Sequence, residues 1–360
     1  MPESDAMSIG DAVDRMFASD NGVGASDEII DAVGRAARGG HLAYGDDGFS
    51  AAARTRVADV FEHDVDVHCV STGSAANGLA LAALVRPWGS VLCHRESHVF
   101  TDECGAPEFF TAGGKLIPLD GPDGKIDADE LIRAARVGVG NVHSTQPQVL
   151  SITQATETGS VYTLDELSAL TSIAHDAGLR VHMDGARFAN ALASLDLTPA
   201  EMTWRAGIDI LSFGVTKNGG LTTDAVISFD PDLHTELSFR VKRAGQLTSK
   251  MRFQSAQLDA YLTDGLWLRN ARHANAMAAR LDAGLRATPN VRVHGGGGAN
   301  MVFCALPDRV VEGVRDDGFV FHHGHPIPGV ARLVTSFATT PAAVDDLVEA
   351  IRRHSTDADG

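Results

Sequence analysis

Leu211-Ser212-Phe213-Gly214-Val215-Thr216-Lys217-Asn218-Gly219-Gly220 is the stretch on which the reading of this chain turns. Together with Gly207-Ile208-Asp209-Ile210 before it, its apolar and β-branched first half fits a buried strand of a parallel sheet, and the pattern stops abruptly before Lys217. A lysine at the carboxyl end of a buried strand suits Schiff-base chemistry, because burial lowers an amine's pKa and frees its lone pair. The glycines that follow let backbone and a bound molecule approach closely. Alone, T-K-N-G-G reads as a surface turn. Its meaning comes from the rest of the chain.

With 360 residues, 44% of them hydrophobic, the chain can bury a large core, and its length allows two domains or one large domain with an appendage. Cys69, Cys93, Cys104 and Cys304 show no C-x-x-C spacing and stand in apolar surroundings, as reduced, buried thiols of a cytosolic protein would. Met1-Pro2-Glu3-Ser4-Asp5 is acidic and lacks the apolar segment of a secretory signal, and no run approaches a membrane span. The expectation is a soluble, intracellular protein. A formal net charge of −17 repels phosphate backbones and argues against nucleic acid as a partner. Any anionic ligand must be held by local charges.

Ser26 is a candidate N-cap for a helix to about Arg38, and Gly39-Gly40 ends it. Tyr44 lies on a glycine-flanked loop, where it reads either as a surface anchor or as a ligand contact, before a helix from Ser50 to Phe61. Strands and helices then alternate. The strand His68–Val70 leads through Ser71-Thr72-Gly73-Ser74 into an alanine-rich helix, Ala75 to Leu84. Gly73 and Ser74 at that helix start are either an ordinary cap or a cradle for a phosphate, since free N–H groups and the helix dipole both favour an anion there. His98 follows the strand Ser90–His94; a core histidine is the plain reading, an imidazole lying over a planar cofactor the functional one. Further strands at Lys115–Leu119 and Val149–Ile152, with helices Asp127–Arg136 and Leu164–Ala177, complete a doubly wound α/β pattern.

The strand Leu179–Met183 ends at Asp184-Gly185-Ala186-Arg187, before a short helix from Phe188 to Ala193. Asp184 and Arg187 are three residues apart and can form an ion pair at the helix start. A buried carboxylate at a strand end can also keep a pyridine nitrogen protonated and so turn the ring into an electron sink, with Arg187 adding positive charge nearby. The order phosphate cradle, acid, lysine, each at the carboxyl end of a strand, is what a pyridoxal-phosphate enzyme with an aspartate-aminotransferase-like fold requires.

After a strand Ala225–Phe229, the basic segment Arg240-Val241-Lys242-Arg243 through Lys250-Met251-Arg252 stands out in so acidic a chain. It reads as a solvated helix face or, the reading favoured here, as charge for a phosphate across a subunit boundary. A long helix from about Gly265 to Leu285 bridges into a smaller carboxyl-terminal part: Met301–Leu306, a helix near Val310–Arg315, Val320–His322, Ala331–Phe337 and a final helix Ala342–His354. His322-His323-Gly324-His325 has the look of a metal tract but no carboxylate or cysteine at ligand spacing, so a solvent loop and no metal are expected. Arg332 is an edge arginine or a fork for a substrate carboxylate.

Ser19-Asp20-Asn21, Ala43-Tyr44-Gly45-Asp46-Asp47, Thr72-Gly73-Ser74-Ala75-Ala76-Asn77, Gln146-Pro147-Gln148-Val149-Leu150-Ser151, His182-Met183-Asp184-Gly185-Ala186-Arg187-Phe188, Ser212-Phe213-Gly214-Val215-Thr216-Lys217-Asn218-Gly219 and Arg332-Leu333-Val334-Thr335-Ser336 together resemble the low-specificity L-threonine aldolases, including phenylserine aldolases. The likeness runs from about Phe17 to Asp345, and H-M-D-G-A-R-F with S-F-G-x-T-K-N-G is specific in combination. It implies a pyridoxal-phosphate-dependent, transferase-like large domain with a mostly parallel seven-stranded sheet over residues 21–268, preceded by an arm over 1–20 and followed by a small α+β domain over 269–360.

The resemblance also implies roles: the cofactor imine on Lys217, Asp184 on the pyridine nitrogen, Gly73 and Ser74 on the phosphate, and His98 stacked over the ring. Ser19, Arg187 and Arg332 would hold the substrate carboxylate, with the ring's phenolic oxygen an alternative partner for Arg187. Tyr44 and the Lys250/Arg252 segment would be lent by a neighbouring subunit of a homotetramer, a dimer of dimers. Other branches of the family carry a histidine where this chain has Glu157, so the base for the β-hydroxyl is His98, water or Glu157. The implied reaction is retro-aldol cleavage of an L-β-hydroxy-α-amino acid to glycine and an aldehyde. A β-eliminating lyase on the same scaffold, or a ligand-binding protein that keeps the fold without catalysis, are the alternatives.

Overall fold

The structure, a computed structural model, describes residues 14–295, 297–324 and 327–356. Residues 1–13 of the expected arm and His325 of the histidine tract lie outside the described residues.

Seven strands form the larger sheet: β1 (Asp66–Val70), β2 (Gly89–His94), β3 (Lys115–Leu119), β4 (Gln146–Thr153), β5 (Arg180–Gly185), β6 (Ile210–Phe213) and β7 (Asp224–Ser228). Their spatial order is β1-β7-β6-β5-β4-β2-β3. Neighbours from β6 through β3 run parallel, while β7 is antiparallel to both β6 and β1. Every residue of β2, β6 and β7 is buried, as expected where helices cover both faces and strands read as continuous apolar runs. The carboxyl ends of β1, β2, β4, β5 and β6 share one edge of this sheet, and the crevice beyond such an edge is where open α/β sheets bind ligands.

A four-stranded antiparallel sheet, ordered β10-β11-β9-β8, makes up the second layer system: β8 (Arg292–His294), β9 (Met301–Ala305), β10 (His322–His323) and β11 (Val330–Val334). The helix Leu266–Arg286 connects the two, placing Met277, Leu281 and Leu285 in a core with Val302, Cys304 and Leu333 of the small sheet and Val344, Leu347 and Ile351 of the last helix. Phe17 is fully buried in this same core. Its backbone donates to Val320 O at 2.8 Å and accepts from Val334 N at 2.8 Å, so the segment before the large sheet is tied to the small one.

Several expectations shift. His322 and His323 pair with Arg332 and Ala331 in β10, so this tract is a strand end and not a solvent loop. The strand β8 has no sequence forecast behind it; three residues are too short to show a period. Cys104 is exposed, unlike the other three cysteines, because it sits in a left-handed turn at φ 51° between two short helices. Ser26 occupies the N-cap position of the Asp27–Ala36 helix without capping it; its Oγ accepts from Asn270 Nδ2 at 2.9 Å.

At the carboxyl end of β6 the chain turns sharply through a short 3₁₀ segment, Thr216–Asn218. Asn218 Nδ2 donates to Tyr261 Oη and to Trp267 O, both at 2.8 Å, and so anchors the turn to the aromatic core of Phe61, Phe188, Phe213 and Trp267. Two glycines allow the geometry. A Cβ on Gly214 would lie 2.3 Å from Ala186 O, and Gly219, at φ +110°, would put one 2.4 Å from Ser26 Oγ. Gly214→Ala should therefore force β5 and β6 apart at this end, costing about 1–3 kcal/mol, or ~3 °C in melting temperature. A thermal melt unchanged within a degree would show that the close approach is not needed.

Candidate functional site

A cavity of about 250 Å³ opens at that sheet edge. Lys217, Asp184, His98, Glu157, Gly73 and Ser74 line it, Gly73 and Ser74 from one helix start and the others from four further places in the chain. Hollows of about 450 Å³ exist elsewhere, but the one along the bridging helix holds Arg272, Asp282 and His294 and none of the strand-end residues. Size does not decide between them; convergent chemistry does.

Asp184 sits in β5, only 2% exposed, opposite Ser212 in the β5–β6 register. Its Oδ1 accepts from Ala186 N at 3.0 Å and its Oδ2 from Asn77 Nδ2 at 2.9 Å. The same amide nitrogen donates to Glu103 Oε1 at 2.7 Å. Glu103 Oε1 also accepts from His98 Nδ1 at 2.9 Å. A single chain of bonds therefore runs Asp184–Asn77–Glu103–His98. Burial, with the charge of Asp184, pushes the Glu103 carboxyl up, against the stabilising bonds from His98 and Asn77. The bond to Glu103 is in turn the main cause of a raised His98 pKa, ahead of burial, which works to lower it.

Two residues behind Asp184, His182 is fully buried, and burial drives its pKa down to about 4. Its neutral ring lies between Ser151 Oγ at 2.9 Å and Ser212 Oγ at 3.0 Å, which ties β4, β5 and β6 together beneath the cavity. Asp224, on β7, also lines the cavity and accepts from Val215 N at 2.8 Å and Thr216 N at 3.2 Å, holding the backbone just before Lys217. The helix Gly73–Leu84 starts with Thr72 as N-cap, its Oγ1 accepting from Ala75 N at 3.1 Å. The N–H groups of Gly73 and Ser74 precede the first intrahelical bond, and no atom lies within 4 Å of where a Gly73 Cβ would be, so an anion can reach them.

A second group of charges centres on Asp20. Arg187 grips it with Nε at 2.7 Å and Nη2 at 2.8 Å, and Asn300 Nδ2 adds a bond at 3.0 Å. Burial works to raise the Asp20 carboxyl, but Arg187, with help from Lys217 and Asn300, holds it below the usual carboxylate range. Ser19 is beside it and accepts from Asn21 N at 3.1 Å. Arg332, on β11, feels the charges of Arg187, Glu157 and Asp20; burial first and Arg187 second bring its pKa down. Its Nε is buried with no partner among the described residues.

Of the residues singled out by sequence, Lys217, Asp184, His98, Gly73 and Ser74 share the cavity, and Ser19, Arg187 and Arg332 gather around Asp20 beside it. Tyr44, Lys250 and Arg252 do not line it in this protomer. Tyr44 and Lys250 are exposed, and the Tyr44 ring carries the Lys242 ammonium at 4.7 Å, whereas Arg252 is buried with Nε donating to Ala36 O at 2.9 Å. Sequence reasoning missed Asn77, Glu103, Asp20 and Asp224. An asparagine inside an alanine-rich buried helix was a usable signal, because a buried amide needs partners; Glu103, in an irregular turn, offered none.

A family model described as beta-eliminating lyase matches residues 16–306. The chain is 43% identical over 338 residues to the low-specificity L-threonine aldolase of Pseudomonas sp. (strain NCIMB 10558), covering 94% of this chain and 97% of that protein. Among solved structures, the threonine aldolase of Leishmania major superposes with a TM-score of 0.88 at 30% identity, over 94% of this chain and 98% of that one. Cystalysin of Treponema denticola, which contains a pyridoxal 5'-phosphate cofactor, has the same fold at a TM-score of 0.70 and 11% identity, over 95% of this chain and 91% of its own.

The His98–Glu103 pair gives the site a pH signature. Because the folded-state pKa of His98 lies above its ordinary 6.5, the pairing supports the fold fully below that pH and loses its effect as pH rises through the elevated value. At the acid end it needs Glu103 ionised, above that carboxyl's own raised pKa. Glu103→Gln should bring the His98 titration, followed by NMR of its Cε1 proton, back toward 6.5. An unmoved titration would assign the shift to some other charge.

Proposed function

The chain belongs to the low-specificity L-threonine aldolases, aldehyde-lyases within the beta-eliminating lyase family, and from that premise we propose which of its residues perform the cleavage and with what cofactor. The enzyme splits L-threonine between Cα and Cβ into glycine and an aldehyde. We extend the substrate range to L-allo-threonine and phenylserine-type amino acids.

Pyridoxal 5'-phosphate is the cofactor we assign. The donor set fits it: an amine on Lys217, a buried carboxylate on Asp184 fixed by Ala186 and Asn77, and an open helix start at Gly73 and Ser74, all on one cavity. The likeness of fold to cystalysin, which contains that cofactor, adds support. When bound, it supplies an electron sink for the carbanion left as the Cα–Cβ bond breaks.

On this reading Lys217 Nζ holds the cofactor covalently, and Asp184 keeps a proton on the ring nitrogen. The N–H groups of Gly73 and Ser74 would take the phosphate, and His98, on the same cavity, would pack against the ring. Arg332, with its buried Nε free of any partner among the described residues, grips the substrate carboxylate together with Ser19 and the Arg187 side. That grip sets the rotation about Cα and so decides which bond breaks. With Nδ1 committed to Glu103, His98 presents Nε2 to the β-hydroxyl, directly or through water, and its raised pKa makes that nitrogen a stronger proton acceptor once neutral. Glu157 lines the same cavity and is the other candidate base.

The assembly we propose is a homotetramer built as a dimer of dimers, with Tyr44 and the Lys250/Arg252 segment completing a neighbour's site. The exposure of Tyr44 and Lys250, joined through the Tyr44 N to Ser249 O bond of 3.1 Å, supports this for those two residues, while Arg252 would act through its fixed backbone and packing. We place the enzyme in the cytoplasm, in line with four free cysteines and with the lack of any described helix long and apolar enough to cross a membrane.

The observation that carries the reading is the convergence of Lys217 and Asp184 on one cavity. Glycine and aldehyde should appear from L-threonine, L-allo-threonine and L-phenylserine and not from the D-isomers; ammonia with a 2-oxo acid of unchanged carbon skeleton in their place, 2-oxobutanoate from threonine or phenylpyruvate from phenylserine, would mean β-elimination. Lys217→Ala should abolish the visible absorbance of bound cofactor and turnover together, and survival of both would refute its role. Arg332→Lys should raise KM about 10- to 100-fold with a smaller change in kcat, the loss expected for a charge-assisted bond to a carboxylate; an unchanged KM would remove Arg332 from the substrate site.

A further inference from the structure

Beside a second hollow, apart from the residues that line the catalytic cavity, three metal-ligating side chains converge that the aldol chemistry does not use. Asp66 and His68 stand two apart on β1, so the period of the strand puts both on one face. His234 opens the helix His234–Arg243, which packs beside that strand. Asp66 Oδ2 lies 2.7 Å from His68 Nε2, and Asp66 Oδ1 lies 2.9 Å from His234 Nδ1. All three ligand atoms fall within 4.8 Å of one another, and the two imidazole rings are inclined by only 31°.

We propose that Asp66, His68 and His234 form a binding site for one divalent transition-metal ion per protomer, separate from the catalytic centre. Two imidazoles and one carboxylate are the donor set of three-ligand zinc and iron sites, and a d-block cation prefers it over magnesium or calcium. The geometry asks for little movement. Ligand atoms at ~2.0–2.2 Å from a tetrahedral ion sit about 3.3 Å apart; here the three ligand atoms, one per residue, lie within 4.8 Å of one another, a difference that side-chain rotation can close. Metal replaces the proton that now bridges each pair, and His68 Nδ1 and His234 Nε2 remain to carry the ring protons.

The surroundings favour a cation. Asp66 and His68 are largely buried while His234 is mostly exposed, which gives an ion a path in from solvent. The three residues border a hollow of about 330 Å³ that also includes Asp46, Tyr44 and Ser255, with Arg54 the opposing positive charge, and that leaves room for water in the remaining coordination position. A net charge of −17 adds a general attraction for cations. The ion would clamp the start of the His234–Arg243 helix to β1. That helix leads into the segment carrying Gln246, whose Oε1 accepts from Ser71 N at 2.9 Å next to the Gly73 helix start.

The test uses the assembled holoenzyme after chelator treatment and dialysis, with Zn²⁺ and Co²⁺ alone as probes. Equilibrium dialysis should give one Zn²⁺ per protomer, Co²⁺ should add d–d absorption bands of a four- or five-coordinate ion, and Zn²⁺ should raise the melting temperature. His234→Ala, at a mostly exposed side chain, should lose at least tenfold in affinity together with the cobalt bands and the stabilisation, as should His68→Gln, which keeps a hydrogen-bond donor for Asp66. Absence of stoichiometric binding, or binding unaltered in both variants, would overturn the proposal and leave the trio as a hydrogen-bonded pin between strand and helix. Neither result bears on the aldolase assignment, since these residues lie outside its cavity.

Discussion

The close approach of β5 and β6 at their carboxyl ends is the constraint from which the site follows. Parallel pairing sets Asp184 opposite Ser212, and the missing side chain of Gly214 lets the chain pass against the Ala186 carbonyl before it turns. The turn then carries Lys217 into the crevice that Asp184 faces. Because both residues leave adjacent strands at one edge, their separation is set by sheet geometry and not by flexible loops. His182, wedged between Ser151 and Ser212, and Asn218, tied to Tyr261 and Trp267, remove the remaining freedom on either side. The aromatic core beneath is thus a foundation for the site as much as a source of stability.

Electrostatics then separates two tasks that an acidic chain must perform with few cations. Around Asp184, one amide on Asn77 bridges two buried carboxylates, and His98 supplies the compensating positive charge through Glu103. Burying Glu103 is costly by itself, and its Oε2, without a partner among the described residues, shows that the cost is only partly offset. The gain is orientation: a histidine bonded at Nδ1 has its Nε2 aimed and its tautomer fixed. Around Asp20 the balance differs, since Arg187 satisfies both carboxylate oxygens with two short bonds. Removing either partner of such a buried pair costs ~3–5 kcal/mol, whereas the intact pair adds little net stability. Its value lies in holding the amino-terminal segment against the mouth of the site.

How much of this was legible in the sequence depended on whether a residue's role was local. Lys217, Asp184 and Gly73 each followed an apolar strand directly, so the period of the chain placed them at the correct edge. The doubly wound α/β pattern followed from the same alternation, while the seven-stranded, mostly parallel sheet came with the family resemblance; the reversed direction of β7 carried no signal, because so short a segment reads alike both ways. Glu103 and Asp20 matter through partners far along the chain, Asp184 by way of Asn77 and Arg187 across 167 positions, and no spacing rule reaches so far. The exposed position of Cys104 and the extension of the segment Val320–His322 through His323 into β10 were hidden for the related reason that turns and two-residue strands carry no periodic signal.

The sequence left both arginines near the site as candidates for holding the substrate carboxylate, and their bonding sets them apart. Arg187 has Nε and Nη2 committed to Asp20, which leaves Nη1 as the nitrogen free of that carboxylate. A guanidinium so held has given up its side-on Nε/Nη2 edge and keeps only the end-on Nη1/Nη2 edge for a ligand. Arg332 is the opposite case: burial and the charge of Arg187 both destabilise its cationic form, while its Nε has no partner among the described residues. A partly buried guanidinium beside another cation, with Nε unpartnered among the described residues, is suited to receive an anion. On our reading that anion is the carboxylate of the amino acid, so Arg332 takes the bidentate grip. Arg187 contributes through its fixed position and its one spare N–H edge, and the pair divides between them what one arginine could not do alone.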